Sequence, residues 1–197
     1  MFYIQKFEFR FQFLLKNKEL EGRNFYIYTM LTERIEKALN DQIRMEAESS
    51  QFYLAMASWA ETQGMNGTAQ FLYMHSDEER MHMLKLVKFV NERGGQAEIP
   101  KLDQPPKDFK SLQNVFQNLL DHEQKVTLEI NKVVDVCLQE KDYTTHNFMQ
   151  WYVSEQIEEE ALARTILDKL NMIGSDKGGL YLFDRDLEGM HMTEEAQ

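Results

Sequence analysis

His75-Ser-Asp-Glu-Glu-Arg-Met-His82 runs directly into Met83-Leu-Lys-Leu-Val-Lys-Phe-Val90. The second half reads as ordinary helix interior. The first half holds two histidines and three acids. Residues three and four apart share a helix face, and here that face runs Leu72, His75, Glu79, His82, Leu86, Phe89. A carboxylate and an imidazole therefore sit where an apolar stripe should be unbroken.

The surrounding chain is helical from Thr32 onward. Gly and Pro are scarce, at 9 and 3, and all three prolines fall in Gly94-Gly-Gln-Ala-Glu-Ile-Pro-Lys-Leu-Asp-Gln-Pro-Pro-Lys-Asp-Phe-Lys110. Helices are expected over about 32–61, 67–93, 111–140 and 144–173, with Thr32 and Ser111 as N-caps and Gln63-Gly-Met-Asn-Gly67 as a stop. A short amphipathic segment, Leu180 to Met190, follows Gly174-Ser-Asp-Lys-Gly-Gly179. Two short turns make the first two helices, and the last two, antiparallel neighbours. The link over 94–110 reaches about 56 Å when extended, enough to cross a bundle about 40 Å tall. The expected fold is all-α, a four-helix bundle with one long crossover.

Every helix repeats the anomaly of the opening stretch. The third runs Leu112, Phe116, Leu119, Glu123, Val126, Ile130, Val133, Cys137, apolar except for Glu123. The fourth runs Phe148, Tyr152, Glu155, Glu159, Leu162, Ile166, Ile173, and the first Ile35, Leu39, Gln42, Glu46, Ser50, Tyr53, Ala57. Glu46, Glu79, Glu123 and Glu159 each lie about 18–23 Å along their own helix, so they meet near mid-height. Four carboxylates in a nearly dry core are untenable alone, because desolvation and like charge oppose their ionisation. Two divalent cations balance them. An oxygen-rich set with one imidazole, His82, suits iron(II) or manganese better than structural zinc or copper. The alternative is a hydrogen-bonded polar layer that fixes helix register. His75 reads as a polar core residue or an entry group, His122 as solvated, Cys137 as core, and Met74, Met81 and Met83 as packing material.

Bulk properties narrow the partners. The net charge of −11 argues against nucleic acid or an anionic membrane. A single cysteine permits neither an internal disulfide nor a Cys-x-x-Cys metal knot, and no apolar run is long enough to span a bilayer. Residues 1–29 differ in kind. They hold nine of the 23 aromatics, and Phe7, Phe9, Phe11 and Phe13 alternate with polar residues in a strand-like period. They are expected to be a poorly ordered leader before a domain over 30–197.

The local strings Glu46-x6-Tyr53, Glu78-Glu79-x-x-His82, Glu123-Gln124 and Trp151-Tyr-Val-Ser-Glu-Gln-Ile-Glu-Glu-Glu160 resemble those of prokaryotic non-haem ferritins, over residues 30 to about 190. The resemblance implies a ferritin-like bundle with a short fifth, C-terminal helix. It implies two irons at a ferroxidase centre, the first on Glu46, Glu79 and His82, the second on Glu79, Glu123 and Glu159. Gln156 is implied beside the pair, and Tyr53 as a redox-active or hydrogen-bonding tyrosine. Glu78, Glu155 and Glu158, with Glu159, match a third iron site. Bacterioferritins carry a second Glu-x-x-His on the last helix. Here the equivalent is Gln156-Ile-Glu-Glu159, so no haem is expected.

The implied function is storage and detoxification of iron in the cytoplasm. Fe(II) is oxidised by O2 or H2O2 and kept as a ferric oxyhydroxide mineral inside a shell of 24 identical subunits. The competing expectations are a non-storing di-iron peroxidase or oxidase of the rubrerythrin-like class, and a purely structural helical assembly. Asp142 is a candidate for lining an entry channel.

Overall fold

The computed structural model describes residues 30–190, and all regular structure among them is helical. The expectation for residues 1–29 lies outside the described residues. Five helices follow in order: α1 (Glu33–Thr62), α2 (Asn66–Glu92), α3 (Leu112–Glu140), α4 (Tyr143–Ile173) and α5 (Lys177–Met190).

The helix ends follow from capping chemistry. Thr32 accepts from the Ile35 amide at 3.3 Å and Ser111 from the Asn114 amide at 3.1 Å. Glu33 and Glu36 place negative charge in the first turn of α1, against its positive dipole end. α2 departs from expectation. Its preceding residue, Met65, supplies no side-chain cap, and Gly67 lies in the first turn of the helix instead of ending the previous one. The cap comes from α5. Asp184 accepts from the Gly67 amide at 3.2 Å and the Thr68 amide at 2.8 Å, and from Thr68 Oγ1 at 2.7 Å. A Cβ on Gly67 would lie 1.8 Å from the Asp184 carbonyl oxygen, so this approach requires glycine.

Contacts at the helix ends fix the topology. The start of α1 meets the ends of α2 and α3, through Met30 N to Arg93 O at 3.0 Å and Arg34 to Glu140 at 3.3 Å. The start of α3 meets the end of α4, where Gln113 donates to Asn171 at 2.7 Å. Phe109, at the close of the crossover, packs on Trp59 near the end of α1. The link therefore leaves one end of the bundle and arrives at the other. α1 and α4 run one way, and α2 and α3 the other.

The apolar interior is in two parts. One surrounds Tyr53, Met56, Phe71, Leu72, Phe116 and Leu119 and takes in Phe183 and Leu187 of α5. The other surrounds Leu39, Ile43, Leu86, Ile130 and Tyr152. Each large apolar side chain so buried contributes about 1.5–3 kcal/mol. Between the two lies a layer of buried polar groups from all four long helices: Gln42, Glu46 and Ser49, then His75, Ser76, Glu79 and His82, then Glu123, then Gln156 and Glu159.

Candidate metal centre

The helical repeat delivers the layer. Glu79 and His82 stand three apart on α2, as do Gln156 and Glu159 on α4, so each pair shares a face. Glu46 is 1% exposed, Glu79 3%, Glu123 0% and Glu159 8%. These are core carboxylates, and their hydrogen bonds have to be accounted for one by one. Gln42 donates to Glu46 Oε1 at 2.9 Å. The Tyr53 hydroxyl donates to Glu123 Oε1, and Gln156 Nε2 donates to Glu123 Oε2 at 2.9 Å. Tyr152 donates to the His82 carbonyl at 2.9 Å, tying α4 to α2 one turn below the acids. Glu79 Oε2 is buried without a hydrogen-bond donor and lies 3.5 Å from His82 Nδ1.

Burial moves these groups off their ordinary protonation. Desolvation pushes the Glu46 carboxyl up to about 7, against the lowering effect of its bonds to Glu79 and Gln42. Glu79 is raised well above the usual range by desolvation and then by the Glu46 and Glu123 charges. Desolvation raises Glu123 too. The His82 imidazole is held down to about 4 by burial and then by Lys85, which keeps it neutral. A neutral imidazole beside carboxyls with raised affinity for protons is a set whose protons a metal ion displaces.

Glu46, Glu79 and His82 each offer a ligand atom, and all three atoms lie within 4.8 Å of one another. An oxygen-rich donor set, one neutral nitrogen and the orphaned Glu79 oxygen fit a divalent cation such as iron(II). Two further groupings meet the same distance: His75, Glu78 and Glu159, and Glu78, His82 and Glu155. Glu123 stays in the layer but belongs to none of the three, and its two oxygens accept from Tyr53 and Gln156. Glu158 is exposed and belongs to none. Glu78 is exposed as well, and Glu155 half-buried.

Several expectations need correction. His122 is not solvated. Its Nε2 meets Ser49 Oγ at 2.9 Å, its ring lies edge-on to Tyr53 at 5.8 Å, and burial, then Lys125, lowers its imidazole to about 4. Asp142, the channel candidate, has a structural role within the chain. It caps α4 by accepting from the Thr144 and Thr145 amides, and it pairs with Arg93 at 3.0 Å. Met81 is 68% exposed and packs no core. The buried stripe of α4 passes through Met149 and Gln156, not through Phe148 and Glu155. Cys137 is buried as expected, with its thiol pushed up to about 11 by burial.

Comparison with known proteins settles the family. The model of the ferritin-like domain matches residues 36–173. The chain belongs to the ferritin-like family. This ferritin-like chain is 48% identical over 158 residues to a probable bacterial non-heme ferritin-like protein of Haemophilus influenzae, covering 80% of this chain and 96% of that one. It is 43% identical over 164 residues to a bacterial non-heme ferritin of Campylobacter jejuni, covering 83% and 98%. Among solved structures, an open pore ferritin from the hyperthermophilic archaeon Archaeoglobus fulgidus superposes with a TM-score of 0.80 at 40% identity, over 81% of this chain and 98% of that one. The ferritin-like bundle with its short C-terminal helix is thus the fold of this protein.

Proposed function

We propose that the polar layer is a ferroxidase centre and that the protein stores iron. Two Fe(II) ions are the substrate. Glu46, Glu79 and His82 hold one, and Glu79, Glu123 and Glu159 the other. Each ion loses one electron. The pair of electrons, with two protons, reduces O2 to hydrogen peroxide, or reduces hydrogen peroxide to two waters. The ferric product leaves the centre and accumulates as a ferric oxyhydroxide mineral inside a closed shell of 24 subunits in the cytoplasm. Gln156 and Tyr53 act on the second ion through Glu123. They hold that carboxylate in place, and they release it to the metal by giving up the hydrogen bonds it now accepts. Tyr53 is also the oxidisable group nearest that carboxylate, and its buried hydroxyl is kept protonated by desolvation and by the Glu123 and Glu79 charges.

The observation that carries this reading is the split core: a family member whose apolar interior is divided by four buried glutamates, with the neutral His82 among them. Size-exclusion chromatography before and after aerobic loading with Fe(II) tests it. The expected result is a large assembly that retains hundreds of irons and elutes unchanged. A small oligomer that oxidises iron without keeping it would instead indicate a non-storing di-iron oxidase, and an assembly that takes up no iron stoichiometrically would leave a structural role.

A further inference from the structure

On the α1–α3 side of the polar layer, two cross-helix bonds lie side by side. Ser49 and Tyr53 stand one turn apart on α1, and His122 and Glu123 are consecutive on α3. The Tyr53 hydroxyl donates to Glu123 Oε1, and Ser49 Oγ meets His122 Nε2 at 2.9 Å. The direction of the second bond follows from counting protons. Ser49 has one hydroxyl proton and gives it to the Met45 carbonyl at 3.0 Å, so His122 Nε2–H is the donor. The same imidazole ring lies 5.3 Å from the Phe52 ring and edge-on to Tyr53 at 5.8 Å. Ser49, Tyr53 and Glu123 are all 0% exposed, so water is no ready substitute for either bond.

We propose that His122, anchored on Ser49, is a positioning residue for Tyr53 and, through Tyr53, for Glu123. This role deepens the ferroxidase reading and rests on it in one respect: there Glu123 turns to the second iron. In doing so the carboxylate leaves the Tyr53 hydroxyl. The Ser49–His122 bond involves no ligand atom and stays. It keeps α1 and α3 in register one turn from the centre and holds the imidazole against the phenol ring. The Tyr53 hydroxyl therefore remains aimed at the place to which the carboxylate returns. Loss of the bond acts on the second ion, one of whose carboxylates comes from α3. It spares the first, whose ligands Glu46, Glu79 and His82 come from α1 and α2.

Three substitutions test the role. His122→Leu removes the donor and keeps similar bulk, Ser49→Ala removes the acceptor, and His122→Gln offers an amide N–H in place of Nε2–H. Anaerobic Fe(II) titration of the intact assembly, followed by calorimetry, reads the two ions separately. His122→Leu and Ser49→Ala are each expected to weaken the second ion about three- to tenfold, the worth of one hydrogen bond, and to leave the first unchanged. Combined, they should cost no more than either alone. His122→Gln should restore the second ion to within about twofold. Equal weakening of both ions, additive losses, or no rescue by glutamine overturns the assignment. Crystals of the metal-free variants keep the two readings apart. His122→Leu should shift Tyr53 off Glu123, and His122→Gln should keep that bond. Tyr53 unmoved in His122→Leu would overturn the positioning role whether or not iron binds. An unsubstituted assembly that takes up no pair of Fe(II) ions would sink the ferroxidase reading and leave the hold on Tyr53 to be decided by those crystals.

Discussion

Glu79 is the residue on which the centre turns. It faces Glu46 and His82 from α2, and its second oxygen has no hydrogen-bond donor. Glu79→Ala should slow the initial oxidation of Fe(II), followed by stopped-flow absorbance, by at least about 100-fold, because one change strips both ions of a ligand. An unchanged initial rate would mean the ions bind elsewhere. Tyr53→Phe is expected to act differently. It leaves Glu123 Oε1 without its donor, a loss of about 1–3 kcal/mol in the metal-free protein by denaturant unfolding. It should alter the decay of oxidised species more than it alters Fe(II) affinity, and equal effects on both would remove the redox role. Glu46 gives a pH signature. Its carboxyl is raised from 4.5 to about 7 in the folded state. Below pH 4.5 it is protonated whether the chain is folded or not, and it has no effect on stability. Between about 4.5 and 7 the unfolded chain ionises first, so the metal-free fold loses stability as pH rises, up to about 3 kcal/mol from this group. Glu46→Gln removes that loss. The gap between the two proteins should therefore open from pH 4.5 to 7 and then level off. A gap that does not change with pH would contradict the raised carboxyl.

Among the elements, α5 does more than close the chain. It supplies the N-cap that α2 lacks, through Asp184, and inserts Phe183 and Leu187 into one half of the core. Asp184→Ala should cost about 1 kcal/mol of thermal stability and speed amide exchange in the first turn of α2. Protection unchanged at Gly67 and Thr68 would show that the cap is not needed. This trans-cap was hidden in the sequence, where Met65 and Gly67 read as the end of one helix. Nothing local announces a carboxylate arriving from more than a hundred residues away. What periodicity could read, it read well. Every predicted stripe position of α3 is buried, because that face is apolar apart from Glu123 and the residues between its positions are mostly polar. On α4 the reading slipped by one residue, from Gln156 to Glu155. Three acids and a glutamine within five residues give spacing no hydrophobic contrast to work with. His122 was misplaced for another reason. It lies about 100° around α3 from Glu123, on a flank whose burial depends on Ser49, Phe52 and Tyr53 of α1, and one helix viewed alone does not show its neighbour.

At the scale of the whole molecule, the bundle leaves apolar surface that a lone subunit has no use for. Met172 is 81% exposed and Tyr181 69%, with Leu182 beside them at 46%. They surround the junction of α4 and α5, where the proposed shell would bring α5 segments together. Leu182→Glu should produce small oligomers by size exclusion with helical content intact, since a buried unpaired charge costs several kcal/mol at each contact. A full-sized assembly from that variant would place the contact elsewhere. Within the subunit, the proposal is that the interior tolerates four acids because two iron ions neutralise them. An anomalous difference map at the iron edge, from crystals soaked anaerobically in Fe(II), tests it most directly. The account predicts two peaks inside the bundle, one bounded by Glu46, Glu79 and His82 and one by Glu79, Glu123 and Glu159. A map with no density there, and the acids still bonded to Gln42, Tyr53 and Gln156, would contradict it.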